Sequence, residues 1–256
     1  MVKSKPKIAV LTTTSSHHVH FVNMLAKHYT IVQIIVESRE TTMPFAIQGR
    51  LDEKVEAYER ELWFNNAPVA FDSSLPIYSI ASSNDADSIK RLKQAKPDII
   101  IAFGVGRLSA QLLNIAPKSV LYIQATDTER YYGLDTIYWA ASHGDFASMA
   151  ACINLQDEKK KQGHKIFQYY YTPAQGSSIY ALRSFFTKRA LDACQDAIAM
   201  YCHFGQFISQ PQNYEGRFYS FMPAVLKDRL EEKFDGYLDH YWLEESPNIR
   251  HHSKKS

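Results

Sequence analysis

The sequence is poor in cysteine and contains no long apolar run. Its 256 residues include three cysteines, Cys152, Cys194 and Cys202, and no two of them form a CxxC pair. An odd count without such pairs argues against a disulfide framework or a structural zinc site and favours a reducing compartment. No apolar stretch has the length of a transmembrane helix, and residues 1–6 lack the apolar segment of a secretory signal. We therefore expect a cytoplasmic protein without a membrane partner.

The chain also lacks a large excess of positive or negative charge. The chain has 29 basic and 27 acidic residues and a net charge of +2. This balance gives no indication of nucleic acid or an anionic membrane as a partner. Two short basic runs, Lys159–Lys161 and residues 251–255, are typical of a solvated loop and a solvated tail, and phosphate binding is the alternative for both.

What the chain does contain is a regular alternation of short apolar runs and amphipathic segments. The apolar runs predict five strands, at Lys7–Thr12, Thr30–Glu37, Pro76–Ile80, Asp98–Phe103 and Val120–Gln124. The amphipathic segments predict helices at about His18–His28, Arg50–Phe64, Asp85–Ala95 and Leu108–Ile115, with caps at Ser15 or Ser16 and at Ser83 or Asn84. Such alternation predicts an α/β fold with a Rossmann-like, mostly parallel, twisted sheet.

The second half of the chain predicts a hairpin and two further helices. Ala150–Leu155 and Lys165–Tyr171 are the expected hairpin strands, and Ser178–Phe204 has the apolar spacing of one long helix. A last helix is expected at Pro223–Tyr237, with proline at its first position. We divide the chain into a flexible N-terminus (1–6), an α/β domain (7–205), a short helical C-terminal extension (206–245) and a disordered tail (246–256).

One stretch carries a set of spaced motifs. Between Asp98 and Asp145 the sequence contains Gly133-Leu134-Asp135-Thr136, then Trp139-Ala140 and Gly144-Asp145. This set resembles the core of the folate-dependent formyltransferases, which include methionyl-tRNA, glycinamide-ribonucleotide and nucleotide-sugar enzymes. The resemblance extends over roughly residues 7–219. It implies a Rossmann-like domain with its active site at the carboxyl ends of the strands and 10-formyltetrahydrofolate as the formyl donor.

The catalytic residues of that family are replaced. Its active members carry Asn-x-His on the fifth strand and an Asp in a later loop, and the matching positions here are Tyr122, Gln124 and Lys161. Formyl transfer to an amine requires a group that takes a proton and a donor for the oxyanion. Losing one oxyanion donor costs ~10²–10³ in rate, and losing acid–base help costs typically ~10²–10⁴. We expect little or no formyl transfer through these positions.

The resemblance also implies which residues bind the donor. It places donor contacts at Gly104, Val105 and Gly106, and at Asp157 and Glu158 in the later loop. For Asp157 and Glu158 a plain acidic turn is the alternative.

Four residues are expected to form the acceptor pocket, namely Thr126, Arg130, Tyr132 and Asp135. Family members usually have an Arg immediately before the Gly133 position, whereas this chain has Tyr132 there. His164 follows the lost Asp position closely and is a candidate substitute base, with a solvated loop histidine as the alternative.

A histidine cluster near the N-terminus is the remaining feature. His17 and His20 would share a helix face with spacing i, i+3, and His18 lies between them. Because no third ligand is nearby in the sequence, we predict no metal site and expect a helix N-terminus at the rim of the pocket.

The sequence leaves three functional hypotheses. The first is a formyltransferase-like protein without formyl transfer, which keeps a small-molecule ligand in the former active-site cleft or serves as a partner surface. The second is an active N-formyl or acyl transferase with rearranged residues that acts on an amino group of a nucleotide sugar or a related biosynthetic precursor. The third is a homo- or hetero-oligomeric partner subunit, for which the 16 Tyr and 14 Phe residues would supply contact surface.

Overall fold

This computed structural model of the protein describes residues 5–38, 43–158 and 162–252, with side chains described as far as Glu244. The strands are β1 (Lys7–Thr12), β2 (Thr30–Glu37), β3 (Ile77–Ile80), β4 (Ile99–Phe103), β5 (Val120–Thr126), β6 (Tyr131–Gly133), β7 (Met149–Leu155), β8 (His164–Tyr170), β9 (Gln210–Pro211) and β10 (Arg217–Tyr219). The helices are α1 (Ser16–Ala26), α2 (Arg50–Phe64), α3 (Ala86–Ala95), α4 (Ala110–Leu113), α5 (Thr136–Ser142), α6 (Leu182–Phe204) and α7 (Ala224–His252).

The main sheet confirms the predicted α/β class. Its eight strands have the order β3-β2-β1-β4-β5-β7-β8-β9, and β1 to β5 pair in parallel. The order reverses between β1 and β4, where Ile8 is paired with Ile99. In sheets of this kind, ligands bind in the crevice at the carboxyl ends of the strands on either side of such a reversal.

The predicted hairpin is present and extends the sheet with antiparallel strands. β7 pairs with β5, where Ile123 is opposite Ile153, and β8 pairs with β7. A separate two-stranded sheet, β6 with β10, was not predicted. It joins residues 131–133 to residues 217–219, so the chain after α6 returns to the β5–α5 connection.

Apolar residues cover both faces of the main sheet. Along β1, Ile8 and Val10 belong to the core beneath α1, α5 and α6, whereas Ala9 and Leu11 belong to the core beneath α3 and α4. This alternation is the period-two pattern of a strand. Burial on both faces explains why the strands appear in the sequence as unbroken apolar runs.

Several element boundaries differ from the sequence prediction. α3 begins after Asp85 rather than after Ser83 or Asn84, and α4 is limited to four residues. The chain from Ser178 first makes a 3₁₀ turn, Ile179–Ala181, before α6 begins. Boundary shifts of this size are common because helix ends compete with tighter turns.

The last helix is longer than expected. α7 runs from Ala224 to His252, well past Tyr237 and across the proposed division between residues 245 and 246. The buried Lys227 ammonium joins α7 to the rest of the domain, because it lies 2.9 Å from Asp52 Oδ1 and 3.1 Å from Asp135 Oδ2. Across the described part of the chain, no helix combines the length and the apolar character needed to cross a membrane.

Candidate functional site

The crevice between β1 and β4 is lined by polar groups from the turn that follows β1. Thr13 Oγ1 lies 2.6 Å from His18 Nδ1, and the His18 ring packs edge-on against Phe103. Gly104 has a φ of +81°, and a Cβ built there would lie 2.0 Å from His18 Cε1. Glycine is therefore required on both conformational and steric grounds. Burial, followed by the charge of Arg183, lowers the pKa of His18 to about 3, so the imidazole is neutral.

Tyr122 lies on β5 where the resemblance implies the family's Asn. Its hydroxyl donates a hydrogen bond to the backbone carbonyl of Val105, in the turn after β4. Burial, and then the charge of Glu37, raises the pKa of Tyr122 above its ordinary value. The phenol is neutral, and its one O–H is already donated to Val105. Its ring packs against the core under α4.

Gln124, two residues further along β5, is bound to the neighbouring strand. Its Oε1 accepts a hydrogen bond of 3.3 Å from Asn154 Nδ2 on β7. Asn154 is fully buried, and its Oδ1 has no hydrogen-bond partner among the described residues. An amide cannot act as a base near neutral pH, so this pair provides hydrogen bonding without proton transfer. The third replaced position, Lys161, lies outside the described residues.

His164 is next to a carboxylate. Its Nε2 lies 3.5 Å from Asp157 Oδ2, and both side chains are partly exposed. Asp157 lies just past the end of β7 and His164 begins β8, so the β7–β8 hairpin brings them together. The arrangement is that of a base and the group that orients it.

Asp157 also lines a cavity of about 350 Å³. The cavity residues come from the loop between β3 and α3, from the segment after β4, from α4 and from the loop after β7: Asn84, Arg107, Leu108, Ser109, Ala110, Leu113, Gln156, Asp157 and Glu158. Both acidic residues predicted to contact a donor therefore line one cavity. Gly104, Val105 and Gly106 lie beside it, in the turn before Arg107, and are not among its lining residues. Their predicted role remains a prediction.

The fit to a folate donor differs between the two ends of this region. The Asp157 and Glu158 carboxylates are acceptors of the kind that the amidine edge of a pterin needs. At the other end, Tyr122 donates to Val105 and Gln124 is bonded to Asn154, so the groups that would face a transferred carbonyl already have partners. The cavity therefore has acceptor groups for the ring of a folate, with Glu158 Oε1 also accepting a hydrogen bond of 2.8 Å from Asn114 Nδ2. Tyr122 and Gln124, where the resemblance implies the transfer residues, are bonded to protein groups.

The four expected acceptor residues contact different parts of the domain. Thr126 is buried and donates to the Tyr131 carbonyl, and Tyr132 packs edge-on against Phe218. Arg130 binds Asp145 and Ser148.

Asp135 begins α5 and is paired with Lys227. It also accepts a hydrogen bond from the backbone N–H of Met222. Burial raises the pKa of Asp135, and the charge of Lys227 opposes the shift. Each of these four side chains has a structural partner, so an acceptor pocket built from them remains a prediction.

A buried charged cluster beside the crevice was missed by the sequence analysis. His17 lies 3.7 Å from the fully buried Glu59, and Arg183 binds Glu59 and Glu56. The sequence signal was the Glu56-x-x-Glu59 spacing, which places both carboxylates on one face of α2. His20 is not part of this cluster, because its ring stacks on Trp63 at 4.3 Å.

Solved structures with a similar fold include formyltransferases. A sugar N-formyltransferase from Shewanella is 9% identical, with 88% of this chain and 86% of that chain covered at a TM-score of 0.55. A 4-N formyltransferase from Francisella tularensis is 16% identical, with 84% and 76% covered and a TM-score of 0.53. Glycinamide ribonucleotide transformylase 1 from Symbiobacterium toebii is 14% identical, with 78% and 89% covered and a TM-score of 0.53.

These similarities define the class of fold. The chain has the fold of the folate-dependent formyltransferases, as the motifs around Gly133–Asp145 imply. The sequence matches no family model. At identities this low the likeness concerns the fold alone, and the chemistry has to be argued from the side chains.

Proposed function

We propose that the protein is an N-formyl or related N-acyl transferase that acts on an amino group of a nucleotide sugar or a similar biosynthetic precursor. In this proposal, His164 takes the proton that the family's histidine on the fifth strand would take. The sugar N-formyltransferases among the solved structures with this fold support the substrate class. The observation that carries the proposal is the His164–Asp157 pair beside the cavity of Arg107 and Glu158.

The chemistry requires a base and a stabiliser of negative charge. The amine nitrogen bonds to the acyl carbon and loses a proton, and the bond from that carbon to the donor breaks as the departing donor atom takes up a proton. Asp157 Oδ2, 3.5 Å from His164 Nε2, would orient the imidazole and leave Nδ1 to take that proton. Arg107 lines the same cavity, and its guanidinium would stabilise the oxyanion. A bound folate would supply the formyl group there, with Asp157 and Glu158 accepting hydrogen bonds from its ring.

Turnover tests the proposal. The purified protein is incubated with 10-formyltetrahydrofolate and a panel of amino-sugar nucleotides, and the products are identified by mass spectrometry. We expect at least one amine to be formylated at a rate that increases with enzyme concentration. A full panel without product, repeated with other acyl donors, would overturn the proposal.

The second candidate is a ligand-binding protein that does not transfer a formyl group. The specific observation in its favour is that the Tyr122 hydroxyl is bonded to Val105 and the Gln124 amide to Asn154, because the resemblance implies the transfer residues at these two positions. A binding protein of this kind would be stabilised by a nucleotide sugar or a folate through mass action, by about 2.7 kcal/mol at a ligand concentration of 100 times Kd. A rise in melting temperature with these ligands, together with the absence of turnover, would select this candidate.

A further inference from the structure

Three potential metal ligands meet near the N-terminus of α1. Glu56 and Glu59 project from one face of α2, and His17 lies in the first turn of α1. The ligand atoms of these three residues all lie within 4.8 Å of one another. None of the three has a role in the proposed transfer chemistry.

The His17 imidazole is a second indication of a bound ion, separate from the two carboxylates. Its Nδ1 is buried and has no hydrogen-bond partner among the described residues, and the residue is 8% exposed. The nearest carboxylate oxygen, Glu59 Oε2, is 3.7 Å away, which is too long for a hydrogen bond. Two donors that are each 2.0–2.2 Å from a tetrahedral zinc ion lie roughly 3.4 Å apart. The separation of Nδ1 and Oε2 is close to that of two ligands of one ion.

The charges of the cluster leave a net negative site. Glu56 and Glu59 carry two negative charges, and Arg183 supplies one positive charge. A divalent cation would offset this excess, most of all at Glu59, whose side chain is fully buried.

Arg183 and Ser16 share these carboxylates with the proposed ion. It donates to both oxygens of Glu59 and to Oε1 of Glu56, and Ser16 donates to Oε2 of Glu56. Each carboxylate oxygen has a second lone pair that remains available to an ion. Hydrogen-bond partners behind the ligands are a regular feature of metal sites, because they orient the carboxylates.

We propose that His17, Glu56 and Glu59 bind a divalent transition-metal ion, with Zn²⁺ the best match to one nitrogen and two carboxylate ligands. The fourth position would go to water or to a ligand atom. The site adjoins the crevice between β1 and β4, because the His17 and His18 rings are 3.9 Å apart.

The test is titration with ZnCl₂ by isothermal calorimetry after dialysis against EDTA. All proteins carry His251→Ser and His252→Ser, because this adjacent pair could bind zinc by itself. Glu56→Gln and His17→Asn are compared with two controls, Glu53→Gln on the exposed side of α2 and His20→Asn on α1. We expect one site per chain, an affinity at least ~10-fold lower in the two ligand variants, and no change in the controls.

Two outcomes would overturn the site. One is the absence of zinc binding, and the other is binding that is the same in Glu56→Gln, in His17→Asn and in the controls. Because the Glu56 side chain is 43% exposed, Glu56→Gln should fold normally, and its metal-free melting temperature checks this. In zinc-soaked crystals we expect an anomalous peak about 2.0–2.2 Å from His17 Nδ1. A peak elsewhere would contradict the assignment.

Discussion

The hydroxyl of Tyr122 on β5 donates a hydrogen bond to the backbone carbonyl of Val105, which follows β4. This bond ties together the carboxyl ends of two neighbouring strands at the position where the family's transfer chemistry is implied. Tyr122, at the position where the resemblance implies the family's Asn, therefore has a clear structural role. A fold can keep its architecture while the side chains at the carboxyl ends of its strands acquire other roles.

Replacing Tyr122 with Phe should destabilise the protein by about 0.5–1.5 kcal/mol, since one intramolecular hydrogen bond is lost while the ring is kept. Urea unfolding measures the change. Tyr214→Phe is the control, because Tyr214 is 73% exposed, and it should have no effect. Equal stability of Tyr122→Phe and the wild type would show that the bond to Val105 contributes nothing.

Replacing Lys227 with Met should destabilise by about 3–5 kcal/mol, because Asp52 and Asp135 would lose the buried cation between them. Asp135→Asn should cost less, since burial already favours the protonated form of that carboxyl and raises its pKa. Urea unfolding compares both with Arg50→Ala, which breaks exposed ion pairs to Glu231 and Glu232 and should have a much smaller effect. Similar losses for Lys227→Met and Arg50→Ala would contradict the proposed locking of α7.

Replacing Gly104 with Ala should be more harmful than replacing Gly176 with Ala. Both glycines have positive φ, +81° and +77°, so both variants carry backbone strain of about 1–3 kcal/mol. Only Gly104→Ala also forces a methyl group against His18, which adds roughly 1–3 kcal/mol of overpacking. No atom of the described residues lies within 4 Å of a Cβ at Gly176. Equal melting temperatures for the two variants would argue against close contact of His18 with Gly104.

The protein should become less stable as the pH is lowered, and protonation of His20 should account for part of this loss. Burial, followed by the charge of Lys27, lowers the pKa of His20 to about 4, whereas an unfolded histidine titrates near ~6.5. Its contribution is therefore complete above the unfolded pKa and is lost as the pH falls through the folded value. His20→Phe keeps the stacking on Trp63 without the titration. Because solvent screens this partly exposed ring, the gain relative to the wild type between pH 7 and pH ~4 should be about 1–2 kcal/mol, less than the full shift would give. An equal stability difference at both pH values would contradict this.

The regular part of the fold could be predicted because its signals are local. Thr30–Glu37 is a β-branched run, and Arg50–Phe64 is an amphipathic stretch, and both elements have the predicted bounds. The pairing of β6 with β10 could not be predicted in the same way. Each of these strands has three residues, and more than 80 residues separate them, so neither has a pattern of its own.

In the candidate site too, some features follow from local sequence and others depend on residues that are distant in the chain. The hairpin that brings His164 to Asp157 follows from two neighbouring strands, so a base near this loop could be suggested from sequence. The burial of Glu59 depends on Arg183, which is 124 residues away in the chain. A glutamate on a charged helix is expected to face solvent, and only the tertiary structure supplies the guanidinium that allows it to be buried.

The most direct test of the proposed transfer chemistry is to measure how turnover changes when His164 and Arg107 are replaced. With the amine found to be a substrate, kcat/KM is measured for His164→Ala and Arg107→Ala, with His203→Ala at the end of α6 as the control. Since general base catalysis contributes typically ~10²–10⁴, we expect His164→Ala to lose at least ~10²-fold and Arg107→Ala a comparable amount. The control should be unchanged. Full activity in His164→Ala would contradict the account.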